Sequence, residues 1–295
     1  MTRWLLAALL AVTVIGAQAG VLRTCDAPPR SSPAEQDRLL QLAAVIKARL
    51  AQSPAAAALV ARTGTDLSRL GLRYSHAGIA LREGLGSPWA VRQLFYACEA
   101  SEGRLFDQGL AGFVLGADDV HTAFVSVLLL PPEAAEPLAR AALDGELALQ
   151  LLESRYSANA YAFSTRYQNC NQWVAELLAA SLSGTRDRSA AQAWLREAGY
   201  APEPVRVDSA WVWLAGQFVP HLHFDDHPPE AVAQRLIQTS LPDRLEAFVL
   251  ARWPQAQRLE FCLGPEGVVT REGGAQLAAE CPAALGDQLT ALPGS

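Results

Sequence analysis

The chain has 295 residues, with 24 Lys+Arg against 30 Asp+Glu for a net charge of −6, and 51% of its residues are hydrophobic. That excludes an intrinsically disordered chain, which would be poorer in apolar residues and more strongly charged. The acidic balance and the scattering of the basic residues, only one of which is lysine (Lys47), argue against nucleic acid as a partner.

The length allows two domains, or one with extensions. Arg3, the apolar run Leu5 to Ile15 and the small residues of Ala17-Gln18-Ala19 have the form of a secretory signal peptide over residues 1–19. The run is well short of the ~20 residues that span a bilayer, so the expected product is exported, periplasmic or secreted, with no stable membrane anchor after cleavage. Arg23 and Thr24 before Cys25 stand where a lipoprotein would carry small residues.

Ser32-Pro33-Ala34-Glu35 has the pattern of a capping box with Pro at the first helical position. Leu39, Leu40, Ala43, Ile46 and Leu50 follow at helical spacing, predicting a helix over about 33–52. Ser53-Pro54 and Gly64 bracket a predicted second, short helix, giving an N-terminal helical segment over 20–64. Arg73–Leu81 and Trp89–Ala97, separated by Gly84-Leu85-Gly86-Ser87-Pro88, read as antiparallel strands. Phe124–Leu130 reads as a buried strand, Pro132–Leu143 as a helix, Tyr156–Gln168 as irregular chain and Asn171–Leu182 as a helix. After Gly184, Pro242–Trp253 reads as a helix, and Leu259–Leu263 with Val268–Arg271 as a hairpin. Residues 65–184 are thus expected as a core and 185–295 as a C-terminal extension packing on it.

An oxidising compartment favours disulfides, and five cysteines leave at least one thiol over. A local Cys262–Cys281 bridge is the simplest pairing, Cys25 and Cys98 then form a longer staple, and Cys170 remains free; other connectivities stay open.

In Tyr167-Gln168-Asn169-Cys170-Asn171-Gln172-Trp173, Asn169 is a good N-cap, and apolar residues at 173, 174, 177 and 178 give the following helix a buried stripe. Cys170 then occupies the first turn, where unsatisfied N–H groups and the helix dipole lower a thiol pKa and offer donors to an oxyanion. It can equally be a small core residue or a disulfide partner. A cysteine nucleophile needs a nearby base. His76, flanked by small residues in Tyr74-Ser75-His76-Ala77-Gly78-Ile79, suits that role, or is an ordinary half-buried strand histidine.

Together, the Ser-His-Ala-Gly-Ile strand and the later Asn-Cys helix resemble the circularly permuted papain-like hydrolases, the NlpC-like and lecithin retinol acyltransferase-like proteins. In these the histidine strand precedes the cysteine helix, as His76 precedes Cys170 here. The resemblance implies an α+β fold, a permuted papain-like core of antiparallel sheet packed on the nucleophile helix, with extra N-terminal helices and a C-terminal α/β extension. It also implies a third polar residue on the strand after the histidine, a place held here by Gln93, which alternates with Arg92 across the strand; Gln departs from the usual His, Asn or acid. More narrowly, Phe163 to Trp173 and Asp225-Asp226-His227-Pro228 resemble family 2145 of the bacterial domains of unknown function.

The implied activity is a thiol hydrolase or acyltransferase working by Cys–His acyl transfer on a cell-envelope amide such as a peptidoglycan stem peptide. Tyr161 and Tyr167 are weaker candidates for oxyanion or substrate contact. No cofactor is expected: the chain has no Gly-rich phosphate loop, Gly-x-Ser-x-Gly elbow or paired-cysteine zinc motif. The rival readings are an inactive envelope binding or structural protein, with Trp211 and Trp213 as a partner surface, and a zinc hydrolase. In the latter, His221 and His223 would share one face of a strand and bind the metal with Asp225. Asp118-Asp119 and Asp225-Asp226 read as turn and cap residues rather than a glycosidase pair.

Overall fold

A computed structural model describes residues 31–65, 67–84, 86–117, 123–202 and 204–292. The expected signal peptide, Cys25, Asp118-Asp119 and His121 lie outside the described residues. The helices are α1 (Pro33–Ala51), α2 (Leu110–Leu115), α3 (Pro132–Leu143), α4 (Gly145–Gln150), α5 (Cys170–Ser183), α6 (Arg188–Glu197), α7 (Ala210–Gly216), α8 (Pro229–Ala233) and α9 (Pro242–Arg252). The strands are β1 (Ala57–Arg62), β2 (His76–Leu81), β3 (Ala90–Ala97), β4 (Glu102–Gln108), β5 (Ala123–Leu129), β6 (Pro204–Arg206), β7 (Leu236–Gln238), β8 (Gln257–Gly264), β9 (Gly267–Glu272) and β10 (Gln288–Thr290). The protein is therefore of mixed α+β class.

Eight strands form one antiparallel sheet in the order β10-β9-β8-β5-β1-β2-β3-β4, and β6 and β7 pair separately. Strand alternation sends Ala57, Leu59 and Ala61 of β1 to a core built with α3, α5, α6 and α9. Ala58 and Val60 face the other way, into a core closed by α1 and α2. The sheet is thus covered on both sides, and all six residues of β1 are buried.

The capping box of α1 forms: Glu35 N–H donates to Ser32 Oγ and Ser32 N–H to Glu35 Oε2. Its buried stripe is Leu39, Leu42, Ala43, Ile46 and Leu50, and Leu40 points outward. The helix expected between Ser53 and Gly64 is instead the central strand β1. Its alanines favour helix in isolation, but burial between two neighbouring strands and two helical layers overrides that propensity.

The C-terminal residues do more than pack on the core. β8 pairs with β5 along Ala123–Leu129, so β8, β9 and β10 continue the same sheet. Cys262 of β8 is bonded to Cys281, Cys98 is also disulfide-bonded, and Cys170 is free. Among the described residues no helix is long and apolar enough to cross a membrane.

Candidate functional site

β2 and β3 are paired only from Ile79↔Arg92 to Leu81↔Ala90, although β3 runs on to Ala97 against β4. The first residues of β2, His76 to Gly78, therefore lie beside β3 without ladder pairing to it. Gly78 permits this close passage: a Cβ there would stand 2.6 Å from Val91 Cγ1 and 3.3 Å from Gln93 Cβ.

α5 brings its first residue to this place. Asn169 caps the helix by accepting from Gln172 N–H at 2.8 Å, and its own amide nitrogen donates to Thr239 Oγ1 at 2.7 Å. Cys170 Sγ lies 3.9 Å from Ser75 O and 3.5 Å from Asn171 Oδ1. The Asn171 amide donates to Ser75 O at 3.2 Å and Ser240 O at 3.1 Å. It thus ties together the start of β2, the thiol and the approach to α9. Backbone N–H groups of Ala77, Asn171 and Cys170 face the sulfur.

The thiol is seated against the backbone of the two residues that flank His76. The imidazole itself is buried among Phe95 and Phe113, each ring centroid 5.9 Å away, and its Nε2 is 2.5 Å from Gln93 Oε1. Gln93 Nε2 in turn donates to Gln108 Oε1 at 2.7 Å. A carbonyl oxygen accepts, so this contact assigns the ring proton to Nε2 and leaves Nδ1 unprotonated. Arg92 departs to the opposite side of β3, where it makes a bidentate pair with Asp107 and donates to Ala142 O. Gln93 thus meets the His76 imidazole, and Cys170 meets the backbone on either side of that histidine; among the hydrogen bonds of the described residues none joins the thiol to the imidazole.

Electrostatics keep both groups neutral. Burial, with the Arg62 guanidinium second, pushes His76 down to about 3 against the opposing effect of the Gln93 hydrogen bond. Burial pushes the Cys170 thiol up to about 11, although the N–H groups of Ala77, Asn171 and Cys170 and the charge of Arg62 favour the thiolate. The expectation of a lowered thiol pKa at a helix start is therefore corrected: with 5% of the residue exposed, desolvation outweighs the helix end. Arg62, the register partner of His76 on β1, influences both groups and lies over the Phe113 ring.

The remaining candidates lie elsewhere. Tyr161 packs against Phe163 and His227. Tyr167 stacks on His223, ring centroids 4.3 Å apart, with its hydroxyl toward Asp225. The aromatic that senses Cys170 is Tyr156, whose hydroxyl is held protonated by burial first and the nearby thiol second, and whose ring lies 5.0 Å from Tyr96. Its one sequence signal was its place in irregular chain before the cysteine. Residues 221–223 are not a strand. His221 faces Tyr96, Asp225 pairs with Arg166 and His227 contacts Asn159 O, and among the described residues no three His, Cys, Asp or Glu side chains form a cluster able to hold a metal.

Fold and site together define an α+β protein that seats a free cysteine, at the start of a buried helix, against a strand carrying a histidine. A family model described as an uncharacterized protein conserved in bacteria (DUF2145) matches residues 49–249, and the chain belongs to that family. The match spans His76, Gln93 and Cys170 and stops before β8 and its disulfide. Neither a curated protein nor a solved structure matches the chain.

Proposed function

We propose that the protein is an exported thiol hydrolase or acyltransferase with a permuted papain-like core, acting on a cell-envelope amide such as a peptidoglycan stem peptide. The observation that carries the reading is the seating of Cys170 against the backbone on either side of His76, whose far nitrogen is held by Gln93. Nδ1 of His76 takes the thiol proton as sulfur attacks the carbonyl carbon, and the resulting oxyanion receives the Cys170 N–H. The imidazolium then protonates the departing amine, leaving a thioester. Water, or an acceptor in the transferase case, attacks the thioester while Nδ1 takes its proton, and that proton returns to sulfur. Because both groups rest neutral, proton transfer accompanies attack rather than preceding it. Gln93 orients the imidazole without adding a charge, so it stabilises imidazolium less than a carboxylate would. The disulfides favour the exported setting.

The deep burial of the thiol favours a second reading, an envelope-binding protein that retains the fold without catalysis. Incubation with stem-peptide amides and small activated esters, followed by intact mass spectrometry, separates the two. The hydrolase reading requires an acyl adduct on Cys170 that is absent in Cys170→Ala and at least about 100-fold slower to form in His76→Ala. No adduct across the panel, or one indifferent to His76, would overturn it in favour of binding.

A further inference from the structure

Gln93 is 2% exposed and spends both ends of its amide inside the protein, oxygen toward His76 and nitrogen toward Gln108. Gln108 is different: it is the last residue of β4, exposed to solvent, and lies diagonal to Gln93 across the β3–β4 ladder, where Gln93 is level with Phe106 and Val91 with Gln108. Its side chain also rests on α2, where a Cβ added to Gly112 would stand 3.7 Å from Gln108 Cδ and 3.8 Å from its Oε1. An amide has one accepting end and one donating end, so the end that Gln108 offers decides which end of Gln93 turns to the imidazole. With Gln108 Oε1 accepting, Gln93 must present its oxygen to His76, and Nε2 must carry the ring proton.

We infer that Gln108 is a positioning residue that selects the tautomer of His76 through Gln93, a two-amide relay whose solvent-facing end controls a buried imidazole. If the donor and acceptor ends of Gln108 were exchanged, Gln93 would turn over and offer N–H to Nε2. The ring proton would then move to Nδ1, the nitrogen that has to receive the thiol proton. The tautomer selection stands on the hydrogen-bond geometry alone. Its catalytic consequence rests on the proposed Cys170–His76 chemistry.

Two variants impose the two settings. Gln108→Glu offers only acceptors toward Gln93, and Gln108→Lys only donors. Gln108 is exposed, so thermal unfolding of both variants should match the wild type, and Gln108→Met, with neither function, serves if the lysine variant does not fold. Ring nitrogen shifts of 15N-histidine protein at pH 7, assigned against His76→Gln, read the tautomer directly. The wild type and Gln108→Glu should carry the proton on Nε2, while Gln108→Lys should move it to Nδ1, or Gln108→Met should give a mixture. A wild type protonated on Nδ1, or variants with an unchanged His76 tautomer, would overturn the relay. Iodoacetamide labelling of Cys170 in the same samples is a separate readout, expected to slow about 10-fold or more in Gln108→Lys alone. A tautomer that moves while labelling does not would uphold the relay and count against Cys–His chemistry.

Discussion

Arg188 lays two guanidinium nitrogens on the carboxylate of Glu176, Nε 2.7 Å from Oε2 and Nη2 3.0 Å from Oε1, where Glu176 is shut off from solvent on α5. Gln168 and Gln192 each add an amide donor at 2.6 Å. Burial still pushes the carboxyl pKa up, with the guanidinium and the two amides working against it. The cluster anchors the irregular chain before Cys170, since Gln168 also donates to Leu151 O and Arg188 to Thr165 O and Tyr167 O. Removing one partner strands the other, so Glu176→Ala or Arg188→Ala should each cost about 3–5 kcal/mol in urea unfolding. A loss below about 1 kcal/mol would contradict the role given to the pair.

Acid should destabilise the fold through His76. Its folded-state pKa of about 3 lies below the 6.5 of an imidazole in the unfolded chain, so between these values the unfolded state binds the extra proton. The neutral ring's contribution is present above about 6.5 and lost as pH falls toward 3, at about 1.4 kcal/mol per unit. His76→Gln should flatten the pH dependence of the unfolding free energy in that window and leave it unchanged above pH 7. A parallel curve for the variant would refute the assignment.

The thiol should behave in the opposite sense. With its pKa pushed up to about 11, native Cys170 should alkylate slowly at neutral pH and accelerate above pH 9, whereas unfolded protein with its disulfides intact should titrate near 9. Folding stability should likewise decline as pH rises from about 9 to 11, because the unfolded chain ionises first. Location of the label by mass spectrometry checks the first point, and a native rate already on its plateau at pH 7 would count against a protonated thiol.

The Cys262–Cys281 bridge closes a short loop, with a sequence separation of 19, and joins β8 to the chain leading into β10. A loop of this size is worth about 3 kcal/mol in chain entropy. Paired replacement by serine should lower the midpoint of thermal unfolding accordingly, while the alkylation profile of Cys170, seated against the start of β2 with β1 and β5 between that strand and β8, stays as it was. Equal stability of the serine variant would show the bridge to be dispensable.

Where an element carries its own start signal, the chain declares it: Ser32 and Glu35 for α1, Pro132 for α3, Asn169 for α5 and Pro242 for α9. Alternation was enough to put Gln93 and Arg92 on opposite faces of β3; that one of them would meet His76 came from the resemblance, and the Gln93 contact with the imidazole is the one observed. β1 reads as helix because its alanines favour helix until both sheet faces are filled. β4, an edge strand with outward-facing Arg104, Phe106, Asp107 and Gln108, lacks the clean alternation that marks a half-buried strand. The raised thiol pKa was illegible for a different reason: the chain around the sulfur comes from Tyr156 and from Ser75 and Ala77, stretches far from one another in sequence.

An odd cysteine in a disulfide-forming compartment is a hazard to its neighbours, because only the thiolate attacks a disulfide and any thiolate will serve. Burying Cys170 in the first turn of α5 removes it from that exchange chemistry once the helix is seated on the sheet. Cys262 reaches its place only when β5 receives β8 across more than a hundred intervening residues, so its pairing with Cys281 is safest where the odd thiol is out of reach. A lesion that loosens the beginning of α5 would therefore show itself as scrambled bridges and mixed-disulfide dimers, far from the residue that was changed.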